Sequence, residues 1–237
     1  VVNMVRKICL FDFDGVIITQ RALEYSALQL LRNDFYQWQN IENMRLIDFA
    51  KKFEQADTAS SKNSIINIYR AYKPHIPSRW RRLIFFKEFN KKYRKYEKIY
   101  ETLKPGLKSV LKSLKEKNIL LGIVSNTSRD RLEYFSNKFD LTSYFAVFIS
   151  RDDVLIRKPH KYPLLLAIYK IIQQYELTSF SKEDTYFVGD LPTDIQSAKQ
   201  ACIKSIALLS GHGSREELAK TNPDYILKNI KGLKKLL

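Results

Sequence analysis

Phe11-Asp12-Phe13-Asp14-Gly15-Val16 directly follows the apolar run Ile8-Cys9-Leu10 near the start of a 237-residue chain. An apolar run bounded by a turn signal reads as a strand, here about 6–11. Comparable runs at about 119–124, 145–149, 185–188, 204–209 and 224–227 predict five more. Helical patterns at about 105–117, 129–138, 161–175, 193–201 and 214–220 fall between them. That alternation predicts an α/β fold with a doubly wound parallel sheet. Ligands of such sheets bind beyond the carboxyl ends of the strands. Asp12 and Asp14 would sit there, close enough to share a cation. An Asp-Gly turn with a solvated acid explains the same residues without a ligand.

One stretch breaks the alternation. From about 18 to 100 the pattern is nearly all helical. Half the aromatic residues lie there, with 17 basic and 8 acidic residues. It reads as a second domain inserted after the first strand, with the α/β part spanning 1–17 and 101–237. Pro105-Gly106 marks the return. Residues 79–98 hold nine basic residues, two acids and six aromatics. Phe85, Phe89 and Tyr93, with Phe86 and Tyr96, fall on helical spacing. The plain reading is an amphipathic helix with an aromatic core face and a solvated basic face. A phosphate-rich ligand held by Arg and Lys is the functional alternative. Nucleic acid is a third, although no nucleic-acid motif accompanies the charge.

Composition sets further bounds. Hydrophobic residues are 45% and charged residues 28% of the chain, as in globular proteins. No apolar run approaches the ~18–20 residues that span a bilayer, and no signal-peptide core is visible. A cytoplasmic protein without membrane association is expected. Whether Val1 or Met4 is the natural start is left open. Two cysteines, Cys9 and Cys202, make neither a disulfide framework nor a Cys-rich zinc site, and both read as small core residues. His75, His160 and His212 are scattered. The balance of 41 basic against 25 acidic residues gives +16, a field that attracts anions such as phosphorylated metabolites or nucleic acid.

Three more sites follow predicted strands. Asp190 and Asp194 stand in Val188-Gly189-Asp190-Leu191-Pro192-Thr193-Asp194. Ser125-Asn126-Thr127 offers a hydroxyl, an amide and backbone N–H groups at a strand-to-helix turn, which suits a phosphate. Lys158-Pro159 follows the 145–149 strand. Each has a ligand-free explanation: acids complementing a helix dipole, an N-cap, a surface loop.

Taken in order, DxDGV, strand-Ser, Lys-Pro and GDxxxD resemble the haloacid dehalogenase (HAD) superfamily, in its phosphoglycolate-phosphatase-like and β-phosphoglucomutase-like branch. The helical insert looks like that family's small helical cap on a HAD-like Rossmannoid core. Gly211-His212-Gly213-Ser214, followed by Asn222-Pro223-Asp224-Tyr225, looks like the phosphatase branch. The resemblance implies a phosphatase acting through an aspartyl phosphate. Asp12 would be the nucleophile and Asp14 the general acid and base. Mg²⁺ would be held by Asp12, the Asp14 carbonyl and Asp190, with Asp194 in support. Ser125 and the backbone at Asn126 would bind phosphoryl oxygens, and Lys158 would neutralise charge between phosphate and Asp12.

Departures from the family pattern bear on substrate. Thr19-Gln20 replaces a common Asp-Ser or Asp-Thr. Glu24 stands where mutase relatives carry histidine. His160-Lys161-Tyr162 follows Lys158-Pro159 in place of x-Pro-Asp, and Cys202 occupies a usual glycine. The leading expectation is a Mg²⁺-dependent phosphatase for a small phosphorylated metabolite, as monomer or homodimer. The alternatives are a phosphomutase of the β-phosphoglucomutase type using the same Asp12 chemistry and a non-catalytic anion or nucleic-acid binding module using the basic cap. Substrate-reading residues are expected on the insert, near 18–50 or 65–95, with Arg21 close to the hinge.

Overall fold

A computed structural model describes residues 7–19, 21, 22, 26 and 78–237. The chain divides into two compact units, 1–19 with 103–237 and 20–102. In the larger unit the strands are β1 (Ile8–Phe11), β2 (Leu120–Val124), β3 (Val147–Ile149), β4 (Thr185–Gly189), β5 (Lys204–Leu208) and β6 (Tyr225–Leu227). All pair in parallel, in the order β3-β2-β1-β4-β5-β6. Successive strands run outward from β1 to β3, then restart on its other side at β4. The order therefore reverses between β1 and β4, where a crevice opens beyond the strand ends. Asp12 follows β1 and Asp190 follows β4, so the topology brings two distant carboxylates to one place.

Strand alternation divides the core into two layers. Cys9 and Phe11 face one side with Leu121, Ile123 and Val188. There they meet Leu107, Val110, Leu111 and Leu114 of the helix Leu107–Glu116, and Leu132 and Phe135 of Arg129–Lys138. Ile8 and Leu10 face the other side with Val124, Ile149 and Phe187, against Leu164, Ala167, Ile168 and Ile171 of Tyr162–Gln174 and Ala198 of Pro192–Gln200. Burial on both faces explains why the central strands read as continuous apolar runs. Two later helices, Arg215–Ala219 and Leu233–Leu236, complete this unit.

The smaller unit is described chiefly through the helix Arg79–Tyr100. Ser78 caps it, its Oγ accepting from the Arg81 N–H at 3.5 Å. Phe85 is buried and Tyr93 and Tyr96 are half-buried, while Lys87, Lys91, Arg94, Lys95 and Lys98 are exposed. The side chains of residues 86 and 89 lie outside the described set. Trp80, Leu83 and Ile84 are exposed, so apolar residues are not confined to the aromatic face. Glu101 is buried, and its Oε1 accepts from the Ala22 N–H at 3.0 Å. Arg21 is exposed. Glu24, Gln20, His75 and residues 27–77, including most positions expected to read substrate, lie outside the described residues, as do Val1 and Met4. No helix among the described residues is long and apolar enough to cross a membrane.

The structure differs from the sequence reading at Cys202, which is exposed. Its φ of 57° puts it in the left-handed region, in the turn after Pro192–Gln200. The apolar neighbourhood in sequence belongs to the flanking Ala201 and Ile203, which are buried. A left-handed position also explains why glycine would suit this site. Cys9, by contrast, is fully buried, and burial pushes its thiol pKa up.

Candidate active site

The first motif is a tight loop. Gly15 has φ 74°, its N–H donates to the Ile18 carbonyl at 3.1 Å, and Ile17 and Ile18 both donate to the Phe13 carbonyl. A Cβ at Gly15 would collide with the Asp190 carboxylate. Glycine is therefore needed here twice, for conformation and for close approach. Asp12 is held by its N–H, which donates to Val188 O at 2.8 Å, and its Oδ1 accepts from the Phe13 N–H at 2.7 Å.

Lys158 reaches into the same place. Its Nζ lies 2.7 Å from Asp12 Oδ1 and 2.8 Å from Asp194 Oδ1, and all three side chains are buried. Asn126 anchors the lysine backbone: its Nδ2 donates to Lys158 O at 3.1 Å, and its Oδ1 accepts from Lys158 N–H at 3.2 Å. The Asn126 side chain thus ties the turn after β2 to the Lys-Pro turn, a role that the residue pattern did not reveal. Ser125 is buried beside it, and its Oγ accepts from the Thr127 N–H at 3.1 Å.

Asp194 serves two purposes. Its Oδ2 accepts from the N–H groups of Asp190 (3.2 Å) and Leu191 (3.0 Å), capping the helix Pro192–Gln200, while its Oδ1 takes Lys158. The ligand-free explanation of this acid is therefore true, and it coexists with the ion pair. Asp190 is fully buried. Its Oδ2 accepts from the His212 N–H at 2.8 Å, and His212 Nδ1 lies 3.2 Å from the same oxygen. Gly211 must be glycine, since a Cβ there would strike the Asp190 side chain.

Asp190 Oδ1 is buried and has no hydrogen-bond partner. A buried carboxylate oxygen left bare is costly, and a cation would satisfy it. One oxygen each from Asp12, Asp190 and Asp194 lie within 4.8 Å of one another. An all-oxygen donor set without cysteine suits a hard divalent cation such as Mg²⁺. The residues therefore fit the metal expected from sequence. The Asp14 side chain is not in this group. It pairs with Arg131, whose Nη1 lies 2.8 Å from Oδ1 and 2.9 Å from Oδ2.

The charges are strongly interdependent. Burial, then the neighbouring Asp194 charge, holds Asp12 well above the ordinary carboxylate range, although Lys158 opposes this. Asp194 is raised by burial and by Asp190, again against Lys158. For Lys158, burial disfavours the ammonium, but Asp12 and Asp194 outweigh it and raise its pKa. The lysine is therefore a fixed cation, and the carboxylate cluster is short of positive charge.

Two residues of the site carried no assigned role in the sequence. Arg131 is the third residue of the helix Arg129–Lys138 that follows the Ser125 turn, and its guanidinium carbon lies 5.9 Å from the centre of the Phe13 ring. His212 stands in Gly211-His212-Gly213, read in the sequence only as part of the stretch that looks like the phosphatase branch.

A parallel sheet with this strand order, and carboxylates gathered beyond the ends of β1 and β4, defines a HAD-like α/β core. The chain belongs to the haloacid dehalogenase-like hydrolase family, whose sequence pattern matches residues 9–208. Phosphoglycolate phosphatases of Salmonella typhi and Escherichia coli (strain K12) are each 32% identical to it over 158 residues, 67% of this chain and 60% of theirs. The matched stretch is less than two thirds of those proteins' length. A predicted phosphoglycolate phosphatase from Haemophilus somnus 129pt shares the fold with TM-score 0.71 at 18% identity, covering 98% of this chain and 97% of that one. A candidate β-phosphoglucomutase from Thermotoga maritima aligns with TM-score 0.68 at 15% identity, covering 97% of each chain.

Proposed function

We propose that this protein is a Mg²⁺-dependent phosphatase that hydrolyses a small phosphorylated metabolite through an aspartyl phosphate. The observation that carries the proposal is Lys158 Nζ placed between Asp12 and Asp194, in a carboxylate cluster that includes Asp190 with its bare oxygen. A phosphate dianion repels a carboxylate nucleophile, and fixed positive charge is what permits their approach. Asp12 attacks phosphorus, and the ester P–O bond breaks with its electrons going to the leaving oxygen. Asp14 gives that oxygen a proton. Asp14 then takes a proton from water, which attacks the aspartyl phosphate. The P–O bond to Asp12 breaks, releasing phosphate and restoring the carboxylate. General acid–base help of this kind contributes roughly 10²–10⁴ in rate.

Ser125 Oγ and the N–H of Asn126 bind phosphoryl oxygens, and Lys158 neutralises the developing charge. Asp12, the Asp14 carbonyl and Asp190 would hold Mg²⁺. Asp194 supports from behind, because both its oxygens already accept hydrogen bonds. The metal, when bound, supplies charge compensation at the phosphoryl group. Residues 18–100 serve as the cap domain of the family's kind, and the protein works in the cytoplasm. Phosphoglycolate is the first substrate to try, given the relatives' names. The test is phosphate release from a panel of phosphomonoesters that includes it, with Mg²⁺ and with chelator. Turnover that needs Mg²⁺ and disappears in Asp12→Asn supports the reading, and metal-indifferent turnover or none across the panel overturns it.

A further inference from the structure

Arg131 is placed to do more than fill space. Its Nη1 contacts both oxygens of Asp14, at 2.8 and 2.9 Å, and also donates to Thr127 Oγ1 at 3.0 Å. The guanidinium carbon stands 5.9 Å from the centre of the Phe13 ring and 5.4 Å from that of Phe135. Phe13 and Phe135 are themselves buried. The arginine is thus held beside two rings and by the Thr127 hydroxyl in the turn just before its own helix. It comes from the helix that follows the Ser125 turn and reaches the loop that carries Asp12 and Asp14.

From this geometry we infer that Arg131 is a positioning residue for Asp14. The inference rests on the phosphatase reading above. A carboxyl that protonates a leaving oxygen and then accepts a proton from water must hold one orientation through both half-reactions. Small displacements of such a group are expensive in rate. The hydrogen bond to Oδ2, with the guanidinium charge 2.8 Å from Oδ1, resists rotation of the carboxylate, and the two buried rings beside the guanidinium limit its movement. An effect that passes through Asp14 should depend on the leaving group. Lysine would restore the charge but not the guanidinium's N–H geometry.

The test compares Arg131→Met and Arg131→Lys in the full chain, on p-nitrophenyl phosphate and on an alkyl phosphate. The first leaving group hardly needs a proton, and the second does. For Arg131→Met, kcat on the alkyl ester should fall by about 10²-fold, with a loss under about fivefold on the aryl ester and KM little changed. Arg131→Lys should recover part of the alkyl-ester rate. In an Asp14→Asn background, either Arg131 change should cause no further loss, because the two residues act as a unit. Equal losses on both esters, a change confined to KM, or full additivity with Asp14→Asn would overturn the inference. If Arg131→Met fails to fold, Arg131→Lys and its Asp14→Asn double variant decide by the same criteria. Wild type and Asp12→Asn run alongside: if wild type shows no turnover, or Asp12→Asn keeps it, the phosphatase reading fails; otherwise only the role of Arg131 is at stake.

Discussion

Asn126 grips Lys158 at both ends of the residue, donating to its carbonyl and accepting from its N–H. Through this pair, the turn after β2 sets where the buried ammonium stands relative to Asp12. Neither residue is near the other in sequence, and the contact joins two loops that carry different parts of the site.

Asn126→Ala should therefore lower activity by misplacing a cation it does not replace. Two hydrogen bonds to backbone are lost, each worth about 0.5–1.5 kcal/mol, so the stability loss should be modest. The drop in kcat should be larger, about tenfold or more, because phosphoryl transfer depends on positioning. Chemical denaturation and steady-state kinetics check the two effects separately. A stability loss with unchanged kcat would contradict the positioning role.

Lys158→Met should behave differently. It removes the one cation among the described residues that contacts both Asp12 and Asp194, leaving buried carboxylates without that partner. Breaking a buried ion pair in this way costs about 3–5 kcal/mol. Denaturant unfolding without divalent cation measures it. The loss should shrink as pH falls, because protonated carboxyls no longer need the lysine. A loss independent of pH would mean that packing of the lysine stem, and not its charge, is what matters.

The same carboxylates predict how cation and pH interact. Asp12 and Asp194 have folded-state pKa values above the unfolded carboxylate value of about 3.9. The folded protein therefore binds more protons than the unfolded chain in the window above that value. Without cation, this contribution is most favourable at or below the unfolded pKa and declines as pH rises through the folded pKa values. A divalent cation competes with those protons. The increase in Tm caused by Mg²⁺ should be larger at neutral pH than below about pH 5. Asp190→Asn should diminish it at neutral pH. A cation effect that is the same at both pH values would contradict a site built from these three acids.

Much of this was legible in the residues. Each of the six strands is an apolar run with turn residues at its ends, and Asp12 and Asp190 each follow one. Parallel topology then made their meeting predictable. The contacts that complete the site were less legible. Arg131 is 117 residues from Asp14, and His212 is 22 from Asp190. Nothing in local periodicity pairs them. Asn126 was readable as a phosphate-turn residue, but its side chain found Lys158, whose position depends on how two loops pack. The turn and short helix at 230–236 also went unread, because a single helical turn carries too little periodicity to register. Cys202 shows the opposite error, an apolar neighbourhood mistaken for burial where backbone conformation decides.

The central claim is that Asp12 carries the phosphoryl group between substrate and water. The most direct measurement is mass spectrometry of peptides from the Mg²⁺-loaded protein, acid-quenched during turnover of the best substrate found. The account predicts a phosphoryl adduct on the peptide containing Asp12, formed before free phosphate reaches its steady rate and absent in Asp12→Asn. Steady turnover with no such adduct at any quench time, or an adduct on a different residue, would contradict it.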